Sequence, residues 1–125
     1  VDAWLSAHRF DARSQQLVVL NPHCRKPANI WPAERFTQLA ARLVERPGVR
    51  VVISGGPIAK ELCDEIAAPL GDKVWRADGA FTLLGSAELI RRADLFITGD
   101  TGPMHIAAAV GTPIIALFGP ADPLK

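Results

Sequence analysis

A glycine-rich turn in the last third of the chain has the residue types of a phosphate site. The apolar residues 95–97 predict a strand buried on both faces, and residues 99–103 then lead into a short helix that Pro103 can open. Backbone N–H groups without helical partners gather at such a helix start, together with roughly half a positive charge. The spacing therefore predicts that a diphosphate binds against Thr101, Gly102 and the amides that follow them.

The same turn also has a simpler interpretation. Asp100 or Thr101 can cap the following helix without any ligand, as Asp and Thr do in many proteins. His105 lies two residues after Pro103 on an otherwise apolar helix. There it either donates to a phosphate oxygen or supports the turn, and support is the commoner role for a single histidine. The density of glycines around Asp100 favours a binding site over a plain cap.

Basic residues follow the first predicted strand. His23, Arg25 and Lys26 make that loop cationic, so that Lys26 or Arg25 is able to hold a phosphate, although such loop residues are usually just solvated. Glu61 is one turn into a predicted helix and could reach a ribose diol, but a solvated helix face is the commoner role. Phe81 could provide an apolar floor for a nucleotide base, and a core position is its alternative.

The elements that must position these residues alternate between strand and helix. Apolar runs predict strands at residues 17–20, 49–53, 73–76, 95–97 and 114–118, and helical spacing predicts helices that start at Pro32, Ile58, Thr82 and Pro103. This alternation implies right-handed crossovers and a Rossmann-like α/β fold, a parallel sheet with helices on both faces. Ligands of such sheets bind outside the carboxyl ends of the strands. The loops after Leu20, Ile53, Arg76, Thr98 and Phe118 should therefore share one edge of the sheet.

Composition narrows the class of protein. The chain has 125 residues, of which 49% are hydrophobic and 22% charged, and this fits one compact domain. A net charge of +1 gives no field that would favour nucleic acid or anionic lipid as the main partner. Cys24 and Cys63 show no CxxC spacing, so we expect free thiols in a reducing compartment. No apolar run reaches the ~20 residues of a membrane span, and no signal-peptide pattern occurs, so we expect a cytoplasmic protein.

We interpret residues 1–16 as a lead-in or interdomain segment and residues 17–125 as the binding domain. Both ends look cut, because the chain lacks an initiator methionine and stops just after the turn-rich residues 119–123. The sequence contains no HExxH, paired-cysteine zinc spacing, Walker A sequence or GxSxG elbow. We therefore expect neither a metal nor a cofactor.

The turn and its surroundings resemble a known family. Residues 99–109, Gly-Asp-Thr-Gly-Pro-Met-His-Ile-Ala-Ala-Ala, followed by Thr112-Pro113 and by Phe-Gly-Pro-Ala-Asp-Pro at 118–123, resemble the donor-site signature of glycosyltransferase family 9. These enzymes are the ADP-heptose:lipopolysaccharide heptosyltransferases. The similarity extends upstream through residues 20–22, 31–36 and 55–57. It covers nearly the whole chain from Leu17 onward.

The resemblance implies a GT-B architecture, in which two Rossmann-like domains face each other across a cleft, and this chain is similar to the C-terminal, donor-binding domain. It implies inverting transfer of heptose from ADP-heptose to the lipopolysaccharide core. By matching positions, the diphosphate and sugar site would comprise Asp100, Thr101, Gly102, Pro103 and His105, with Phe81 near the adenine. The acceptor and the catalytic base would belong to the N-terminal domain. This chain alone would then bind the donor without turning it over, and the resemblance allows the full-length protein to associate peripherally with a membrane.

One position departs from the family pattern. The family usually has a lysine on the donor phosphates two residues before the Trp-Pro pair, and here that position is Asn29. Either Lys26 or Arg25 replaces that lysine, or phosphate binding is weaker and the donor differs. Asn29 motivates an alternative, a nucleotide-binding or interaction module without transfer activity. Another alternative is a different GT-B-like enzyme such as a nucleotide-sugar epimerase.

Overall fold

The computed structural model describes residues 2–22, 33–55, 60–77, 83–99 and 108–117. The described elements alternate along the chain as predicted. They are α1 (Asp2–Ala7), β1 (Gln16–Asn21), α2 (Ala33–Val44), β2 (Val49–Ile53), α3 (Lys60–Ala67), a 3-10 turn (Gly71–Lys73), β3 (Trp75–Arg76), α4 (Leu83–Arg92), β4 (Leu95–Gly99) and β5 (Ile114–Leu117). Residues 108–110 are also helical.

The described strands form one parallel sheet in the order β3-β2-β1-β4-β5. In the register, Val19 of the central strand β1 lies between Val52 of β2 and Phe96 of β4. These three side chains have no exposed surface. Continuous apolar runs are typical of strands covered on both faces, and the prediction of a parallel sheet is confirmed.

Helices cover both faces of the sheet, and alternate side chains of β1 divide between them. On the first face, Val18 and Leu20 pack with α2 and α3, whose buried residues include Phe36 and Ile66. On the second face, Leu17 and Val19 pack in a cluster that Leu89 of α4 joins. A period of two along each strand produces this division.

The segment before β1 also packs on the second face. Leu5 of α1 is 3% exposed within that cluster, and Trp4 and Phe10 pack against it. The Trp4 and Trp75 rings meet edge to face at 6.1 Å, so α1 covers the short edge strand β3. Residues 4–10 thus contribute to the core, and the role of residues 1–16 as an interdomain segment stays a prediction.

The third helix is shorter than its pattern suggests. Apolar spacing predicts a helix from Ile58 to Leu70, but α3 ends at Ala67, and residues 56–59 lie outside the described part of the chain. Pro69 explains the early end, because a proline disfavours helical backbone at the residue before it. The predicted strand over 73–76 is correspondingly reduced to β3, after the 3-10 turn.

Candidate functional site at the carboxyl edge of the sheet

The carboxyl ends of the strands lie along one edge of the sheet, as predicted. Because the strands are parallel, Asn21, Ile53, Arg76, Gly99 and Leu117 end them on the same side. Phe118 and the residues after it lie outside the described part of the chain. The next residues after β1, β3 and β4 lead into the loops that hold most of the candidate binding residues.

The strand order places the switch point of the sheet between β1 and β4. From β1 the chain proceeds through α2 and α3 to β2 and β3 on one side, and β4 and β5 lie on the other side. At a switch point, the loops after two neighbouring strands lead to opposite faces of the sheet and leave a gap between them. Open α/β sheets bind their ligands at this point. The geometry therefore selects the loops after Asn21 and Gly99 as the centre of the site.

A buried polar pair lies at this switch point. Asn21 and Thr98 are register neighbours, and Asn21 Nδ2 donates to Thr98 Oγ1 at 3.0 Å. The residues are 6% and 0% exposed, respectively. By the alternation of each strand, both side chains lie on the second face, the face covered by α4.

Other hydrogen bonds join neighbouring strands at the same edge. Ser54, the residue after β2, donates to the Leu20 carbonyl through both its backbone N–H, at 2.8 Å, and its hydroxyl, at 3.1 Å. The Ala77 N–H donates to the Ile53 carbonyl at 2.8 Å. These bonds fix the points from which the loops depart.

Charged residues lie on the β2–β3 side of the edge. Arg76 at the end of β3 pairs with Asp64 of α3 at 2.7 Å, and Lys60 pairs with the other oxygen of the same carboxylate at 3.0 Å. The hydrogen bonds from Lys60 and Arg76 hold the pKa of the Asp64 carboxyl below its usual range. Asp64 therefore stays ionised and attaches α3 to the end of β3.

The candidate residues Lys26, Phe81, Asp100, Thr101, Gly102, Pro103 and His105 all lie outside the described residues. Their roles stay predictions. Glu61 is described, and it lies exposed on α3. Among the described residues, no three His, Cys, Asp or Glu side chains come together in a way that could hold a metal ion.

Two residues at this edge were missed as site candidates by reasoning from sequence. Asn21 belonged to a family motif without an assigned role, and Thr98 marked only the end of a strand. A usable signal was present in both cases. Each is a polar residue directly after an apolar run that forms a buried strand, and such a residue needs a partner in the fold.

A parallel sheet of this order, with helices on both faces and a switch point at its centre, defines the Rossmann-like α/β class. The family model for glycosyltransferase family 9 (heptosyltransferase) matches residues 3–125. The chain therefore belongs to glycosyltransferase family 9.

Individual relatives agree with this assignment. The chain is 37% identical to lipopolysaccharide heptosyltransferase 3 of Escherichia coli K12 over 97% of its own length and 37% of the relative's. The crystal structure of a family 9 glycosyl transferase from Veillonella parvula has a TM-score of 0.89 and 34% identity, covering 98% of this chain and 34% of that one. The E. coli heptosyltransferase WaaC with ADP-2-deoxy-2-fluoro heptose has a TM-score of 0.76 and 25% identity, covering 93% of this chain and 36% of that one.

These comparisons also bear on architecture. The solved structures similar to this chain include the family 9 glycosyl transferase of V. parvula and ADP-heptose lps heptosyltransferase II of E. coli, and the described sheet has the Rossmann-like fold that forms one half of a GT-B architecture. The chain spans 37% of the length of the E. coli K12 relative. Among the described helices, none is long and apolar enough to cross a membrane.

Proposed function

We propose that this chain is the donor-binding domain of an inverting heptosyltransferase, which transfers heptose from ADP-heptose to the inner core of lipopolysaccharide. One observation carries the proposal. In a chain of family 9, the switch point of the sheet lies between β1 and β4, and β4 ends at Gly99, where the glycine-rich sequence 99–103 begins. WaaC, a relative that is 25% identical, has been solved with ADP-2-deoxy-2-fluoro heptose, which supports a nucleotide-sugar as the ligand.

The donor diphosphate binds at the turn that follows β4. Amides of Thr101 and Gly102 and the Thr101 hydroxyl donate to its oxygens, and the helix predicted to start at Pro103 contributes the positive end of its dipole. His105 donates to the diphosphate or the sugar. Lys26, in the loop after β1, approaches the phosphates from the other side of the switch point. Phe81, in the segment between β3 and α4, lies under the adenine.

Transfer proceeds by a single displacement. An acceptor hydroxyl oxygen forms a bond to the anomeric carbon while the bond from that carbon to the diphosphate oxygen breaks, so the configuration inverts. The hydroxyl proton passes to a carboxylate of the partner domain, and ADP leaves with the electron pair. The amides of the turn stabilise the charge that develops on the diphosphate. This step needs no metal in the proposed site.

The proposal is tested by calorimetric titration of the protein that contains this chain with ADP, UDP and GDP. We expect ADP to bind more tightly than the other two nucleotides. Thr101→Ala should weaken ADP binding about tenfold, since it removes a hydrogen bond to a charged group, and Gly102→Val should weaken it further because a side chain blocks the approach of the phosphate. The binding site is wrong if no nucleotide binds or if both variants bind ADP like the unaltered protein.

Asn29 motivates one alternative function, that of a nucleotide-binding module without transfer activity. Release of ADP from ADP-heptose in the presence of a heptose-accepting core oligosaccharide distinguishes the two. Nucleotide binding together with transfer supports the enzyme, and binding without transfer supports the module. Asn29→Lys, which restores the residue usual in the family, should tighten ADP binding if Asn29 weakens the phosphate contacts.

A further inference from the structure

The Asn21–Thr98 hydrogen bond occupies a position where an apolar pair would suffice for folding. The preceding residues of both strands are hydrophobic, and the backbone ladder already joins β1 to β4 through this position. Burying an amide and a hydroxyl costs free energy unless both are hydrogen-bonded, and replacing both partners by apolar groups of the same shape can be nearly neutral for stability. A requirement other than cohesion of the sheet therefore favours these two residues.

The position of the pair indicates what that requirement is. Asn21 is the last residue of β1, and Thr98 is the second-to-last residue of β4. The bond is a contact between residues 77 positions apart in sequence, at the point where the two loops flanking the switch point begin. A directional bond restrains the separation and tilt of both strand ends more tightly than a contact between methyl groups does.

We propose that Asn21 and Thr98 are positioning residues for the donor diphosphate. The inference rests on the proposed function. By fixing the two strand ends, the bond holds the basic loop after β1 and the glycine turn after β4 at the spacing at which both reach the same diphosphate. Ligand contacts from two loops are effective only when their separation is set in advance, so loss of the bond lowers affinity without removing any group that touches the nucleotide.

The experiment measures ADP affinity and thermal stability for variants of the protein that contains this chain. Thr98→Val keeps the shape of the side chain and removes the hydroxyl. We expect it to raise the Kd for ADP about tenfold. Thr98→Ser keeps the hydroxyl, and its Kd should stay within about twofold of the unaltered protein.

Thr112 provides a matched control. It is also a buried threonine, 7% exposed, and its hydroxyl donates to the Ile90 carbonyl at 2.7 Å near the opposite edge of the sheet. Thr112→Val should lower the melting temperature by an amount similar to Thr98→Val and leave the Kd for ADP unchanged. An unchanged Kd in Thr98→Val, or an equal rise in Thr112→Val, would overturn the inference.

Asn21→Ala provides a second variant of the same bond and, together with Thr98→Val, a double-mutant cycle. Asn21→Ala should raise the Kd for ADP as Thr98→Val does, and the double variant should lose less affinity than the sum of the two single losses because both remove the same bond. If Thr98→Val fails to fold, Asn21→Ala against Thr98→Ser decides the question. Additive losses would refute positioning through this bond.

The two proposals fail in distinguishable ways. If ADP does not bind the unaltered protein, or if Thr101→Ala and Gly102→Val both leave its binding unchanged, the proposed function fails. If ADP binds and responds to Thr101→Ala but is indifferent to Thr98→Val and Asn21→Ala, only the positioning role fails.

Discussion

The hydrogen bonds at the carboxyl edge of the sheet differ in kind from those at the amino edge. At the carboxyl edge, polar side chains bond across neighbouring strands, with Asn21 donating to Thr98 and Ser54 donating to the Leu20 carbonyl. At the amino edge, the connections mainly fix backbone groups. Asp94 and Leu17 exchange two bonds of 2.7 Å, and the Gln16 N–H donates to the Gly48 carbonyl at 2.7 Å.

This difference indicates that the amino edge contributes to stability and the carboxyl edge to ligand binding. Hydrogen bonds at the amino edge satisfy backbone groups at the starts of buried strands, and they thereby stabilise the fold. The carboxyl edge places a buried polar pair between the loops proposed to hold the donor. Variants at the amino edge should therefore change stability without changing nucleotide affinity, and variants of the Asn21–Thr98 pair should change affinity beyond their effect on stability.

The largest stability effect is expected at Gly48. Its φ of +78° disfavours any side chain, and a Cβ there would lie 2.9 Å from the Ser14 carbonyl oxygen, which belongs to the backbone. Gly48→Ala should therefore destabilise the protein by about 3 kcal/mol, the sum of backbone strain and displacement of the neighbouring chain. Chemical denaturation measures the loss, and titration with ADP should give an unchanged Kd.

Gly71→Ala is the matched control for this variant. Gly71 also has a positive φ, +57°, but a Cβ there meets nothing within 4 Å. Gly71→Ala should lower the free energy of unfolding only by the backbone strain, about 1 kcal/mol. Equal losses in the two variants would mean that the contact with Ser14 is unimportant, and a weaker ADP affinity in folded Gly48→Ala would contradict the division between the edges.

A smaller loss is expected at Asp94. Its carboxylate accepts the N–H of Leu17, a residue with no exposed surface at the start of the central strand. Asp94→Ala leaves that N–H without this acceptor and should cost about 2 kcal/mol. Asp94→Asn retains an oxygen in the same place and should recover more than half of the loss. If the alanine and asparagine variants unfold at the same denaturant concentration, the hydrogen bond is not the cause.

The sequence predicted the sheet better than its connections. Apolar runs such as residues 17–20 and 95–97 identify buried strands because a strand covered on both faces has few positions for polar residues. The edge strand β3 was predicted too long, since the extent of an edge strand depends on one neighbour only. The early end of α3 was missed because Leu70 fits the apolar spacing and is buried after the helix has ended.

The site was only partly accessible from sequence. The glycine-rich residues 99–103 are a candidate because phosphate binding at a helix start imposes a local pattern on consecutive residues, and their role stays a prediction. Asn21 and Thr98 each follow an apolar run, but no local pattern shows that the two are partners, since they are 77 positions apart and become neighbours only when β4 inserts beside β1. The packing of Leu5 on the second face is similarly a long-range contact, which weak periodicity in residues 1–14 does not reveal.

The smallest effect is expected from the ion pairs on the carboxyl side, and it should appear at acid pH. Lys60 and Arg76 lower the pKa of Asp64, so its ionised form is favoured in the folded state. A group whose pKa is lowered by folding stabilises the protein above its unfolded pKa, and this contribution is lost as the pH falls through the folded pKa. Asp64→Asn should therefore decrease the slope of melting temperature against pH below about pH 4. At neutral pH it should lower the melting temperature only by the contribution of the lost ion pairs.

Glu88→Gln separates the two kinds of ion pair. Glu88 has its pKa lowered chiefly by a hydrogen bond from Arg91, three residues away on the same helix, whereas Asp64 bonds to Arg76 on a different element. Both carboxylates are exposed to solvent and screened by salt, so we expect each effect to shrink as ionic strength rises. Because only Asp64 attaches a helix to the end of a strand, Asp64→Asn should change the acid slope more than Glu88→Gln. Equal changes in the two variants would show that the attachment of α3 to β3 adds nothing beyond a local surface pair.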